Sequence, residues 1–111
     1  MKQIVTWVNK REQNRLEKLN KQYGLNFIFV NNFDDFVKGI RSDTISLLLR
    51  RKANVYYKKL VQLLETHQER IFYAYVEHNA PCTLPNEFSW ARNKNVKICD
   101  ETNIWEFFKS L

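Results

Sequence analysis

Two short runs constrain the fold more than anything else in the chain: FIFV at 27–30 and ISLLL at 45–49 are nearly continuous in apolar residues. Successive side chains of a strand point to opposite faces, so a strand apolar throughout needs cover on both. Around them the chain alternates between strand-like and helix-like rhythm. QIVTWV (3–8) reads as a first strand, LNFIFVN (25–31) as a second and TISLLL as a third. RIFYAYVEH (70–78) and NVKIC (95–99) supply a fourth and a fifth.

Between strands lie amphipathic helices. NKREQNRLEKLNKQYG sets Leu16, Leu19 and Tyr23 on one face and ends at Gly24, where a C-cap glycine belongs. Asn32 caps a short helix whose Phe33, Phe36, Val37 and Ile40 recur at helical spacing. Residues 54–68 form the clearest helix, with Tyr56, Leu60, Leu63, Leu64 and His67 along one face. His67, near its end, is placed to meet the helix dipole or the last carbonyls. Residues 79–95 carry both prolines; PNEFSWAR within them suits one short helix with Pro85 in its first turn. Thr102 caps a final helix with Ile104, Trp105, Phe108 and Leu111 as its apolar face.

The order β-α-β-α-β-α-β-(irregular)-β-α implies a parallel sheet, helices on both faces and right-handed crossovers. The expected architecture is a three-layer α/β/α domain over residues 1–111, its five strands in the order 2-1-3-4-5. Val5, Ile28, Leu47 and Tyr73 are expected to be buried in the first four strands.

Composition narrows the function classes. The chain is 44% hydrophobic and 14% aromatic with two Gly and two Pro, which excludes disordered and collagen-like chains. No apolar stretch reaches the roughly 18–20 residues a membrane span needs, and MKQIVTWVNKREQ lacks a signal peptide's apolar region and cleavage site. A cytoplasmic protein without membrane attachment is expected. Cys82 and Cys99 are too few for a disulfide framework and lack zinc-ligand spacing, so each reads as a small apolar filler or loop thiol. Glycine occurs only at 24 and 39, so neither GxGxxG nor a Walker motif exists, and no cofactor or metal is expected. The net charge of +6 favours polyanions or acidic protein surfaces as partners, or is an ordinary solvated face.

DTISLLL, with the element order around it, resembles the third strand of a bacterial response-regulator receiver domain, and the resemblance extends over nearly the whole chain. It implies a flavodoxin-like fold and a role in signalling. The family's phosphoryl chemistry needs an acidic pair after strand one, an aspartate ending strand three, Ser/Thr ending strand four and a lysine ending strand five. Here Asn9, Lys10 and Arg11 follow strand one, and Leu48, Leu49 and Arg50 stand about the acceptor position. Val76, Glu77 and His78 end strand four; Cys99, Asp100 and Glu101 end strand five. An acyl phosphate cannot form on Leu or Arg, so the resemblance is to an atypical receiver.

The switch point of this strand order lies between strands one and three, at their carboxyl ends. Lys10 and Arg11 follow one of those strands; Arg50, Arg51 and Lys52 follow the other. These five cations either hold an anion or an acidic partner, or pair internally with Glu77, Asp100 and Glu101. Both readings stay open on the sequence. Glu77-His78 is the only adjacent acid–imidazole pair and suits either a general base or an ordinary surface histidine. Tyr56-Tyr57-Lys58-Lys59 is an aromatic–basic cluster fit for polyanion contact, while most other aromatics fall on core positions.

The expected function is a non-catalytic receiver-like module for protein–protein interaction, with a protein partner or a second copy. Receivers commonly pair through the face of their last two helices and last strand, where Trp90, Trp105 and Phe107 offer an apolar anchor. The alternatives are a small basic nucleic-acid-binding protein, or an enzyme of another flavodoxin-like family acting on a phosphorylated substrate.

Overall fold

The computed structural model describes residues 2–49, 56–76, 95–100 and 104–110. The strands are β1 (Gln3–Trp7), β2 (Phe27–Val30), β3 (Thr44–Leu49), β4 (Phe72–Val76) and β5 (Val96–Asp100). The helices are α1 (Lys10–Tyr23), α2 (Phe33–Lys38), α3 (Tyr57–Thr66) and α4 (Ile104–Lys109). The strands form one sheet in the order β2-β1-β3-β4-β5. Every neighbouring pair is parallel, with Val5 opposite Ile28 and Ser46 at the centre. The expected five-stranded parallel sheet and its strand order are therefore the observed ones.

Burial explains why the sheet needs two covers. All six residues of β3 are buried, so its side chains fill a core on each side. On one side Val5, Trp7, Leu48, Phe72 and Ala74 meet Phe36 of α2 and Leu60, Leu63 and Leu64 of α3. On the other, Ile4, Val8, Leu47, Leu49, Tyr73 and Tyr75 meet Leu16 of α1 and Ile104, Trp105 and Phe108 of α4. Fully burying one such side chain stabilises the fold by about 1.5–3 kcal/mol. Val5, Leu47 and Tyr73 are buried as expected. Ile28 is only half-buried, as is every residue of β2. The reason is position: β2 is an outer strand, paired on one side by β1.

The rim at the amino ends of the strands is closed by polar staples. Arg70, read from sequence as the start of a strand, instead turns: its N–H donates to the His67 carbonyl. Its guanidinium reaches across to donate to the carbonyls of Arg41 and Thr44 and to Thr44 Oγ1. Burial pulls the Arg70 guanidinium below its ordinary pKa, opposed by the nearby carboxylates of Asp43 and Glu69. Asn95, also read as strand, lies just before β5 and donates through Nδ2 to the carbonyls of Leu64 (3.0 Å) and His67 (3.1 Å). Two carbonyls at the end of α3 are thereby satisfied and the helix is tied to the β5 side of the sheet. His67 is the C-cap of α3, its N–H donating to Leu63; its ring stands 3.9 Å from Glu69.

Among the described residues no helix is long and apolar enough to cross a membrane. The expected short helix around Pro85, the cap at Thr102 and the final Leu111 fall outside the described residues.

Two glycines are fixed for different reasons. Gly24 terminates α1 in the left-handed region at φ 65°, its N–H donating to the Asn20 carbonyl. Gly39 has an ordinary φ, but a Cβ there would stand 2.6 Å from Val5 Cγ1. Gly24→Ala should cost about 1–2 kcal/mol through backbone conformation alone. Gly39→Ala should cost about 1–3 kcal/mol through overpacking. Urea unfolding checks both, and a double-mutant cycle with Val5→Ala separates them: coupling is expected for Gly39→Ala and simple additivity for Gly24→Ala.

Candidate functional site

In a parallel sheet all carboxyl ends of the strands lie on one rim, and loops there converge at the switch point between β1 and β3. β1 ends at Trp7, and α1 begins three residues later at Lys10. The turn is held by a reciprocal cap. Asn9 Oδ1 accepts from the Glu12 N–H at 2.8 Å, and Glu12 Oε1 accepts from the Asn9 N–H at 2.9 Å. Sequence reading missed this cap, although the Asn-x-x-Glu spacing of residues 9–12 is its signature. Glu12 is only 7% exposed, so the single carboxylate at the head of α1 is spent on holding the helix start. One capping carboxylate is not the oxygen-rich set that a hard dication takes. Among the described residues no group of three or more His, Cys, Asp or Glu side chains is placed to hold a metal.

Lys10 and Arg11 occupy the first turn of α1 and are exposed. Among the described residues neither makes an ion pair. Both oppose the positive end of the α1 dipole, an arrangement that costs about 0.3–1 kcal/mol per charge at a surface. Among the described residues no ion pair compensates this cost. Arg50, Arg51 and Lys52, expected to join them, lie outside the described residues, as do Glu77, His78 and Glu101. Asp100 is the last residue of β5.

At the same carboxyl rim the structure assembles an aromatic cluster from three separate segments. Trp7, at the end of β1, lies with its ring centroid 4.7 Å from Tyr56 and 5.8 Å from Phe33. Tyr56 immediately precedes α3 and Phe33 begins α2. Lys59 places its ammonium 5.4 Å from the Phe33 ring centroid. Tyr56 was expected on the buried face of its helix. It is 37% exposed instead, because it lies on the rim with Trp7 beneath it and not over the sheet.

The expected interaction face divides. Trp105 is 2% exposed and belongs to the core, packed among Tyr23, Phe27, Tyr75 and Phe108. It cannot serve as a surface anchor: α4 is short, and Ile104, Trp105 and Phe108 form the face that covers the sheet. Phe107 lies at the margin of that face, 40% exposed, with its ring 5.7 Å from Tyr73. Trp90 lies outside the described residues, as does Cys82.

No protein-family model matches the chain, and no curated protein or solved structure matches it significantly.

The capping box and the cations beside it should respond oppositely to mutation. Asn9→Ala should lower stability by about 0.5–2 kcal/mol. Lys10→Glu or Arg11→Glu should leave stability unchanged or raise it by about 0.3–1 kcal/mol, since a negative charge complements the dipole. Thermal and urea unfolding at low ionic strength measure both, and added salt should shrink only the charge effect.

Proposed function

We propose that the protein is a receiver-like interaction module of the cytoplasm that works by binding and not by accepting phosphate. The observation that carries this reading is the head of α1. Where a phosphate-accepting receiver needs carboxylates for a metal, this chain has Asn9 and Glu12 locked in a reciprocal cap, followed by exposed Lys10 and Arg11. β3 ends at Leu49 and continues into Arg50 and Arg51, so the position expected of the acceptor carries no carboxylate. The strand order and the two-sided helical cover agree with the reading.

Binding then falls to surface chemistry. The margin of α4 offers Phe107 above Tyr73, and Ile71, just before β4, is 44% exposed. An exposed aromatic and an exposed aliphatic are suitable anchors for a protein partner or a second copy. Lys97 pairs with Tyr73 across the β4–β5 ladder and Lys109 follows Phe107 on α4, so a basic rim suits an acidic partner surface.

Acetyl phosphate or beryllofluoride with magnesium should give no adduct by mass spectrometry and no two-state change in the amide NMR spectrum. A stoichiometric aspartyl phosphate overturns the reading; Asp43 is not expected to form one, since it precedes β3 at the amino rim and pairs with Arg41 at 3.3 Å. In sedimentation, any self-association should be lost in Phe107→Glu with the fold intact. A mass unaffected by that change moves the interface elsewhere.

A further inference from the structure

The aromatic cluster at the carboxyl rim is not used by the interaction reading. It belongs to the α2/α3 side of the sheet, whereas Phe107 packs on the α1/α4 side. Three features meet there. The first is a ring with an available surface: Tyr56 rests against Trp7 and leaves 37% of its area to solvent. The base beneath it is rigid, since Trp7 is 4% exposed in the core and is itself against Phe33. An aromatic ring held this way loses little freedom when a second planar group stacks on it.

The second feature is positive charge within reach. Lys59 is held over Phe33, and Lys10 follows Trp7 by three residues, which places their Cα atoms no more than about 11 Å apart. Lys10 and Arg11 stand at the amino end of the fourteen-residue α1, where helix amides and dipole also favour an anion. Among the described residues the acidic groups at these helix starts are Glu12, held in its cap, and Asp34 and Asp35 on the first turn of α2; Asp35 accepts from Asn32 Nδ2 at 3.0 Å. The third feature is location: the cluster sits beyond the ends of β1 and β2, next to the switch point where open α/β sheets bind ligands.

We infer that this rim binds a nucleotide unit, its base stacked on Tyr56 and its phosphate between Lys10, Arg11 and Lys59. An anion alone needs no exposed ring, and an apolar partner needs no exposed cations at a helix amino end. A base joined to a phosphate uses both. The unit comes either as a free nucleotide or as part of a single strand, and the rim chemistry is the same for each.

The test is an amide and aromatic NMR titration of the full chain at low salt with a nucleoside monophosphate, with oligonucleotides of one to eight units, and with inorganic phosphate. Shifts localised to Trp7, Lys10, Phe33, Tyr56 and Lys59 are expected with the first two. Inorganic phosphate at the same concentration should give weaker shifts that leave Tyr56 unmoved. Affinity independent of length assigns the site to free nucleotides, and affinity rising with length assigns it to a single strand. Tyr56→Ala should weaken binding roughly 5- to 150-fold while Tyr56→Trp retains it. Lys10→Ala/Arg11→Ala should weaken it and flatten its salt dependence. The inference is overturned if no nucleotide shifts these resonances, if phosphate alone binds as tightly, or if Tyr56→Ala binds as the parent does. Failure of this test leaves the phosphate-independent interaction reading intact, because that rests on the strand-end chemistry and the α4 margin.

Discussion

The structure depends on β3 being buried on both faces. It is the middle strand of five, flanked by β1 and β4, and all of its side chains lie out of water. A strand in that position cannot be covered by one layer, so helices must return to both sides after each crossover. This fixes which helix goes where: α2 and α3 over Val5, Leu48 and Phe72, α1 and α4 over Ile4, Leu47 and Tyr73. The polar residues of β3 are handled according to depth. Thr44, at its start, donates its hydroxyl to the Gly39 carbonyl at 2.7 Å and accepts from Arg70. Ser46, midway, is fully buried and has no hydrogen-bond partner among the described residues.

The two rims of the sheet are built on opposite principles. At the amino rim the Arg70 guanidinium donates to the main-chain carbonyls of Arg41, in the loop before β3, and Thr44, at its start. Desolvation opposes that placement, and charge-assisted hydrogen bonds offset it; such bonds contribute about 1.5–3 kcal/mol each. Asn95 does similar work for the end of α3. At the carboxyl rim the cations of α1 face solvent, and the Glu12 carboxylate beside them is turned to the backbone. A closed polar rim gives rigidity, whereas an open charged one leaves interaction energy unspent. The recognition proposed above draws on the carboxyl rim and on the α4 margin, where Phe107 is left partly uncovered.

Aromatic residues follow the same division. Trp105 contacts rings from α1, β2, β4 and its own helix, and so joins one whole side of the core. Trp7 does the corresponding service at the other side, but it stands at the end of its strand, so its neighbours include Tyr56 on the surface. One residue type thus serves as core filler in one layer and as the floor of an exposed platform in the other. Position along the strand decides between them.

The sequence by itself determined the elements and their order. FIFV and TISLLL demanded burial, helical spacing in α1 to α3 supplied the cover, and Gly24 and Asn32 marked helix ends that local backbone chemistry fixes without distant contacts. The strand order followed, because right-handed crossovers leave few arrangements for so short a chain. The Asn9–Glu12 cap was equally local and legible from its spacing. What only the tertiary structure decided was exposure and long-range pairing. Hydrophobic periodicity says that Ile28, Trp105 and Phe107 are apolar, not that β2 is an outer strand or that α4 turns Trp105 inward and leaves Phe107 at its edge. Arg70 looked like the polar start of a strand until residues 26 positions away supplied its acceptors. Trp7, Phe33 and Tyr56 come from three segments whose meeting no local pattern encodes. Local rules act through the backbone over a few residues, whereas a site is a convergence of segments, and convergence exists only once the sheet has formed.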